Sequence, residues 1–380
     1  MKKWMTWLLA GMLLAGTLAG CGKEKEDNRQ QTQDESGQAQ EELPADEGKE
    51  QQPADDGAAD EGKEQQPADD EQTHDDPAHA TEQVKIRVGS LKGPTSMGLV
   101  WLMDIQEQGL AQNEYTFTME ATADMLLPKV ISGELDLVLV PANVASVLYH
   151  KTDGGVSVID INTLGVLYLV SADDSIANIE DLKGRTIYLT GMGTTPDFVM
   201  QYLLSENGIA LLDVTLEYKS ESTEVAAYLT EHPDAVGLLP QPYVTALSMQ
   251  NPDIVPVLDM TAEWEKVQGE SGGMLVTGVT LVRNEFLTEH PDAVAAFLAE
   301  HEQSAAYANT NVAGAAALVE HFGIVEKAAV AEKALPYCNI ICLTGEKMKA
   351  ALSGYLGVLE GYDASFIGGG VPEDAFYYIP

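Results

Sequence analysis

Apolar residues are distributed unevenly along this chain of 380 residues. Residues 4–20 form an almost unbroken run of apolar and small residues, and residues 22–83 contain no aromatic residue. From residue 84 onward, short apolar runs such as 135–140 alternate with longer segments of helical spacing. Buried strands that alternate with helices are typical of parallel sheets covered by helices. The pattern therefore predicts an α/β protein that begins near residue 84.

The same pattern predicts the individual elements. Extended segments are expected at 84–89, 135–140, 156–170, 185–190, 214–218, 235–239, 254–258 and 274–282. Helices are expected at 96–109, 123–131, 142–150, 195–207, 223–231 and 243–250. Beyond residue 282 the spacing is mostly helical. One helical face carries Val294, Phe297, Leu298 and His301, and another carries Met348, Leu352, Tyr355, Leu356 and Leu359.

The polar segment 22–83 has the composition of a tether. It holds 21 acidic and 5 basic residues, and the run 47–56 recurs unchanged as 61–70. Such a segment cannot bury enough apolar surface to offset its ordering entropy, and its like charges favour an extended chain. We interpret it as a spacer. His74 and His79 could bind a metal weakly, although a solvated tail explains them better.

The N-terminal apolar run has the layout of a secretory signal. Lys2 and Lys3 precede it, and it ends in Leu18-Ala19-Gly20-Cys21. Cysteine directly after Leu-Ala-Gly resembles the lipobox of bacterial lipoproteins. That resemblance implies cleavage before Cys21, lipidation of Cys21 and attachment to the extracytoplasmic face of the cell membrane. The alternative is a transmembrane anchor, for which seventeen residues are at the short end of the spanning range.

Charge and cysteine content exclude several classes of protein. Residues 84–380 hold 39 acidic and 14 basic residues, so a nucleic-acid-binding stripe is not expected. Cys338 and Cys342 would be roughly 13 Å apart in extended chain, whereas a disulfide needs α-carbons within about 7 Å. We expect two buried thiols, although their redox state stays open, and two cysteines alone are too few for a structural zinc site.

Five motifs in order resemble the solute-binding proteins of ABC importers. They are Lys92-Gly93-Pro94-Thr95 after the first strand, and the segments 131–136, 179–186, 239–242 and 283–294. The nearest branch is the nitrate, sulfonate, taurine and thiamine-precursor group. The resemblance implies a periplasmic-binding-protein-like fold with two lobes, each a mainly parallel sheet flanked by helices. The lobes would comprise 84–165 plus 277–380 and 166–276, after a signal peptide (1–20) and a disordered tether (21–83).

Ligand-binding residues are expected in the loops that follow the strands. Clefts in parallel α/β proteins lie at the carboxyl ends of strands, where helix N-termini offer free N–H groups. Four loops have this form, and Thr95 or Ser96 and Thr195 are candidate helix caps within them. The candidate ligand-binding residues are Lys92, Thr95, Ser96, Asn143, Gly193, Thr194, Thr195, Asp197, Gln241 and Tyr243.

The class of ligand stays open at this point. Helix N-termini could bind an organic anion such as a sulfonate, whereas Tyr243 and Trp264 could stack a heteroaromatic ring. Asp197 could face an amine or merely complement the helix dipole.

Nothing in the sequence indicates an enzyme, a metal site or a cofactor. His-Glu-x-x-His and a phosphate-binding Gly-Lys-Ser/Thr are absent from the sequence, and the histidines are dispersed. The expected partners are a small-molecule ligand, an ABC permease with its ATPase, and the membrane through the lipid. We expect a monomer. The alternative is a ligand-sensing lipoprotein of the same fold that has no transporter of its own.

Overall fold

The computed structural model describes residues 83–269 and 273–380. The signal peptide, the lipidated Cys21 and nearly all of the tether lie outside the described residues, so those expectations stay predictions. None of the helices described is both long and apolar enough to cross a bilayer.

The described strands fall into two sheets. They are β1 (Lys85–Leu91), β2 (Glu114–Glu120), β3 (Leu137–Pro141), β4 (Val156–Leu164), β5 (Leu167–Ser171), β6 (Thr186–Leu189), β7 (Thr215–Tyr218), β8 (Val236–Pro240), β9 (Val255–Asp259), β10 (Val276–Arg283) and β11 (Ile340–Leu343). The first sheet has the order β11-β4-β10-β3-β1-β2, and the second has the order β7-β6-β8-β5-β9. The order places non-consecutive strands side by side, as crossover connections require.

Helices connect and cover these strands. They are α1 (Pro94–Met97), α2 (Val100–Glu107), α3 (Ala123–Ile131), α4 (Ala142–Lys151), α5 (Thr195–Glu206), α6 (Ser222–Glu231), α7 (Tyr243–Gln250), α8 (Met260–Gln268), α9 (Asn284–Glu289), α10 (Pro291–Thr310), α11 (Val312–His321), α12 (Ala328–Ala334) and α13 (Gly345–Asp363). The two-lobe α/β architecture predicted from the sequence is confirmed.

The sheets are mixed rather than mainly parallel. Strand β1 pairs in parallel with β2 and β3, and β6 pairs in parallel with β7 and β8. The strands β4, β5 and β10, next to the crossings between the sheets, run antiparallel to their neighbours. The predicted parallel character therefore applies to the part of each sheet built from strand–helix–strand units.

Two local predictions are wrong. The single helix expected at 96–109 is divided into α1 and α2 at Gly98 and Leu99, where the N–H of Leu99 bonds the carbonyl of Ser96. Glycine is a poor helix former, and at Gly98 an added Cβ would be 3.1 Å from Ile340. Strand β2 was not predicted, although its apolar residues Tyr115, Phe117 and Met119 alternate as in a strand with one face buried.

The predicted extended segment 156–170 is two strands in different sheets. Gly165 and Val166 separate β4 from β5, and the chain enters the first sheet again at β10. A Cβ on Gly165 would lie 2.1 Å from the Thr261 hydroxyl, so the crossing has no room for a side chain. Because the chain crosses between the sheets at these points, we expect hinge motion near 162–164 and 276–278 when ligand binds.

Helix α13 packs against both sheets and joins their cores. Tyr355 packs on Trp264 of α8, with ring centroids 5.5 Å apart. Just beyond α13, Phe366 stacks on Phe198 of α5 at 3.9 Å. One hydrophobic core cluster therefore extends from Val158 of the first sheet to Leu238 of the second.

The turn before β3 contains a buried ion cluster. Asp136 is 1% exposed and accepts hydrogen bonds from the Nε (2.8 Å) and backbone N–H (3.0 Å) of Arg87, while Arg283 approaches at 3.2 Å. Burial alone would raise the pKa of Asp136, but the hydrogen bonds from Arg87 and Arg283 outweigh it and lower the pKa below its usual range. Asp136 belongs to the segment 131–136 that resembles the solute-binding proteins, and its ion cluster stabilises the first sheet.

Candidate functional site

A large cleft of about 1470 Å³ lies between the two sheets. It is lined at the carboxyl ends of β1, β2, β3, β6, β7 and β8, where the chain leaves each strand. Residues from these strand ends include Leu91, Lys92, Glu120, Pro141, Thr190, Ser220 and Pro240. The position agrees with the general rule for open α/β sheets.

Among the described residues, five helices of eight or more residues begin at this cleft. The first residues of α3, α5 and α7 line it, as do Pro141 directly before α4 and the start of α6. The first N–H groups of a helix have no partner within the helix and carry a partial positive charge. The cleft thus offers hydrogen-bond donors from both lobes.

The loop before α5 is held together by its own side chains. The Thr194 hydroxyl donates to the carbonyl of Gly191 at 2.7 Å, and the Gly193 N–H donates to the Asp197 carboxylate at 2.8 Å. Thr194 is the N-cap and Thr195 the first helical residue, so the prediction that Thr195 caps the helix is wrong. Thr194 and Thr195 line the cleft, whereas Gly193 is exposed to solvent and is not one of the lining residues.

Asp197 has three partners in the protein and is 4% exposed. Besides Gly193, the Tyr218 hydroxyl donates to its carboxylate at 2.6 Å, and the Gln201 amide donates at 2.5 Å. The carboxylate is absent from the cleft lining. It therefore organises the loop before α5, in agreement with the structural alternative considered from the sequence.

The loop after β1 is also internally bonded. Thr95 and Ser96 both donate to the carbonyl of Leu91, at 2.7 and 2.6 Å, and Ser96 is fully buried. Neither residue caps α1, whose N-cap is Gly93. Lys92 and Thr95 line the cleft, and the Lys92 side chain is exposed.

Asn143 and Gln241 have structural contacts. Asn143 is buried at the start of α4, and its amide donates to the carbonyls of Gly193 (3.1 Å) and Phe366 (3.3 Å). The first of these bonds joins the first lobe to the loop before α5. Gln241 is buried and accepts from the Thr245 hydroxyl at 2.8 Å. Neither side chain is in the cleft lining.

Of the two aromatic candidates, Tyr243 lines the cleft and Trp264 does not. Tyr243 is half-buried at the start of α7, and burial, helped by the charge of Glu221, raises the pKa of its hydroxyl. Trp264 is fully buried, and its indole N–H donates to the carbonyl of Gly273 at 2.8 Å. Trp264 is therefore a core residue.

Two threonine hydroxyls of the cleft lining lack a partner. Thr195 Oγ1 and Thr277 Oγ1 are buried atoms with no hydrogen-bond partner among the described residues. Thr195 lies beside Tyr355, whose buried hydroxyl also has no hydrogen-bond partner among the described residues. Buried polar groups are normally paired. Thr277, at the start of β10, is therefore the clearest hydroxyl available to a bound molecule.

The inner wall of the cleft is neutral. Its buried lining residues include Thr95, Thr163, Thr195, Pro242 and Leu247, and no lining residue of the described chain is Arg, Asp or His. The charged lining residues are Lys92, Glu120, Glu221, Glu231, Glu326 and Lys327, and all but the half-buried Glu120 are exposed. Glu120 is paired with Lys129 at 2.6 Å.

The parts of the lining that were missed from the sequence include 121–123, 220–223, 323–327 and Thr277. The loop 220–223 follows strand β7, so the strand-end rule would have found it. The loop 121–123 was missed because β2 was missed. Thr277 has no local signal, since it enters the cleft only where β10 crosses between the lobes.

Comparison with known proteins agrees with this architecture. Residues 154–313 match the family model described as NMT1/THI5 like. The chain is 25% identical over 181 residues to binding proteins of Brucella abortus (strain 2308) and Brucella suis biovar 1 (strain 1330). The aligned region spans 48% of this chain and 54% of those relatives, so it covers about half of their length.

Solved structures show the same fold across almost their whole length. An ABC transporter protein from Parabacteroides distasonis has a TM-score of 0.65 and 20% identity, covering 78% of this chain and 99% of that one. The periplasmic aliphatic sulphonate binding protein from Escherichia coli has a TM-score of 0.62 and 14% identity, covering 78% and 92%. The alkanesulfonate-binding protein from Xanthomonas axonopodis pv. citri, bound to MOPS, has a TM-score of 0.59 and 17% identity, covering 77% and 96%.

These comparisons confirm the resemblance to solute-binding proteins of the nitrate, sulfonate and thiamine-precursor branch. The proteins named above are binding proteins or transporter components.

Proposed function

We propose that this protein captures a small solute between its two lobes and delivers it to an ABC importer at the extracytoplasmic face of the membrane. The lobes correspond to 84–165 plus 277–380 and to 166–276. The observation that best supports this proposal is the cleft, which has a volume of about 1470 Å³. Five helix N-termini and the unpartnered hydroxyl of Thr277 line it. The binding proteins named among the comparisons support the importer as partner.

The lining favours an uncharged heteroaromatic ligand over a sulfonate. A sulfonate has a permanent negative charge, and four of the six charged lining residues are glutamates. Like charges disfavour binding, and the helix N-termini and the exposed Lys92 and Lys327 would offset this only in part. A flat ring with N–H and carbonyl groups can stack on Tyr243 and pair with threonine hydroxyls without carrying charge.

The ligand class is tested by titration calorimetry of the full chain against pyrimidines, sulfonates, nitrate and amino acids. A pyrimidine-type compound should bind with an affinity that changes little between low and high salt, because little of the attraction is between net charges. Strong salt-dependent binding of a sulfonate would instead show that the helix N-termini and Lys92 dominate.

Matched variants test the site itself. Thr277→Val keeps the shape but removes the hydroxyl, and we expect a loss of about 1–3 kcal/mol of binding, on the order of ten- to a hundredfold. Thr277→Ser keeps the hydroxyl and should bind nearly as well as the unaltered chain. Tyr243→Leu should weaken binding more than Tyr243→Phe. Unchanged affinity in both Thr277→Val and Tyr243→Leu would place the ligand elsewhere.

We further propose that lipidated Cys21 anchors the protein and that the acidic segment up to residue 83 is its spacer. The Leu-Ala-Gly-Cys motif and the acidic composition support this. The anchor is tested by lipid labelling of the chain and of Cys21→Ala. Equal membrane retention of a cleaved Cys21→Ala chain would exclude a lipid anchor at this position.

A further inference from the structure

A second polar cluster lies inside the first lobe. Asp160 of β4, His301 of α10 and Cys342 of β11 each place one potential metal-ligand atom within 4.8 Å of the others. Asp160 and His301 are fully buried, and Cys342 is partly exposed. None of the three belongs to the cleft lining.

We propose that Asp160, His301 and Cys342 form a binding site for a divalent transition metal ion, with Zn²⁺ as the ion that fits best. Thiolate, imidazole and carboxylate are the three ligand types that zinc takes in proteins. Magnesium and calcium need mostly oxygen ligands, and this cluster has only one carboxylate.

The distances are close to those of a metal shell. Zinc bonds of about 2.0 Å to nitrogen and oxygen and about 2.3 Å to sulfur place tetrahedral ligands roughly 3.3–3.6 Å apart. His301 Nδ1 and Asp160 Oδ2 are already 3.2 Å apart. The thiol, within 4.8 Å, needs to approach by about 1.3 Å at most. Three protein ligands leave a fourth position for water.

A second shell orients the carboxylate. Thr280 donates to Asp160 Oδ1 at 2.9 Å and accepts from the Asn162 amide at 3.1 Å. These bonds hold one carboxylate oxygen and leave Oδ2 facing His301. Outer-shell hydrogen bonds of this kind fix the ligands of metal sites.

Without a cation, each protonation state of His301 leaves one buried group of the cluster unsatisfied. If His301 is protonated, it balances Asp160, but its buried Nε2–H has no acceptor within the described chain. If His301 is neutral, the buried carboxylate lacks a countercharge, which is costly. A divalent ion with one carboxylate, one thiolate and one neutral imidazole has no net charge.

Metal binding here would release the thiol proton of Cys342, together with one ring proton of His301 where that imidazole is charged. The Cys342 S–H bond breaks, the sulfur bonds the metal, and the proton goes to solvent. Burial, together with the charges of Asp160 and Glu302, raises the pKa of the Cys342 thiol, so the free thiol stays protonated. The partly exposed side chain of Cys342 provides a route for the ion.

Cobalt is the spectroscopic probe for this site. The reduced, chelator-treated full chain should bind one equivalent of Co²⁺ with a thiolate-to-metal absorption band, and Zn²⁺ should displace it. Cys342→Ser should remove the band, and Cys342→Ser and His301→Gln should each weaken Zn²⁺ binding at least tenfold. Cys338→Ser is the matched control. It should change neither the cobalt band nor the affinity for Zn²⁺, because the buried Cys338 thiol donates to the carbonyl of Ala334.

Two further controls keep the result unambiguous. Cys21→Ser and the pair His74→Ala and His79→Ala should leave the cobalt band intact, which separates the site from the acidic segment. If Cys342→Ser does not fold, alkylation of the unaltered chain decides, since Zn²⁺ should protect Cys342 until a chelator is added. A cobalt band that persists in folded Cys342→Ser, the absence of any band in the unaltered chain, or alkylation of Cys342 at the same rate with and without Zn²⁺ would overturn the proposal.

Discussion

Replacing Asp197 tests whether this carboxylate organises the loop before α5 or contacts the ligand. Its two oxygens accept from the Gly193 N–H, the Tyr218 hydroxyl and the Gln201 amide in a nearly buried position. Each hydrogen bond to a charged group contributes about 1.5–3 kcal/mol, and a donor left unpaired carries a penalty of its own. We therefore expect Asp197→Ala to lower the free energy of unfolding by about 3–5 kcal/mol.

Asp197→Asn is the informative matched variant. Its remaining oxygen can still accept from Gly193, while the Tyr218 hydroxyl and the Gln201 amide can reorient to accept from the new NH₂ group. The loss should be about 1–2 kcal/mol, because only the charge assistance disappears. At about 2 °C per kcal/mol for a domain of this size, melting temperatures should fall by roughly 3 °C for Asn and 8 °C for Ala.

Ligand affinity separates the two roles. If Asp197 acts through the loop, Asp197→Asn should bind the ligand within about threefold of the unaltered chain, or about 0.65 kcal/mol. Tyr218→Phe removes one partner without changing charge and should cost about 1.5–3 kcal/mol of stability. A melting temperature unchanged in Asp197→Asn together with a tenfold or greater loss of affinity would refute this reasoning and place the carboxylate at the ligand.

The remaining predictions concern the loop, the lobes and acid stability. Thr194→Val removes the bond to the Gly191 carbonyl, so we expect about 1 kcal/mol of stability lost in thermal melts, with Thr194→Ser as the control. Deletion of 22–82 should leave ligand affinity within about threefold in calorimetry, because that composition cannot form a core. Ligand should reduce the radius of gyration in solution scattering, and Asn143→Ala, which removes a bond between the lobes, should change the fraction closed. The pKa of Asp136 is lower in the folded chain than in the unfolded chain. Its charged carboxylate therefore stabilises the fold above the usual Asp pKa of about 3.9, and this stabilisation is lost as pH falls below that value. Asp136→Asn should flatten that part of the curve of unfolding free energy against pH.

The fold class and the general position of the cleft follow from local features of the sequence. Apolar runs and helical spacing are properties of neighbouring residues, so the bounds of α3 and α7 agree with the sequence prediction. The rule that ligands bind at the carboxyl ends of strands then identified Lys92, Thr95, Thr194, Thr195 and Tyr243, all of which line the cleft.

The direction of individual side chains depends on contacts between distant segments. Asn143 and Asp197 lie in the first turns of helices that begin at the cleft, but their polar atoms bond to other parts of the protein, such as Gly193 for Asn143 and Tyr218 for Asp197. Trp264 is buried because α13, almost a hundred residues later, covers it.

Residues that are far apart in sequence meet only in the folded chain. Thr277 reaches the cleft because β10 crosses between the lobes. Asp160 and His301 are 141 positions apart, and Cys342 joins them only because β11 pairs with β4. Hydrophobic periodicity carries no information about such pairings, since they depend on strand order and on which helix covers which face.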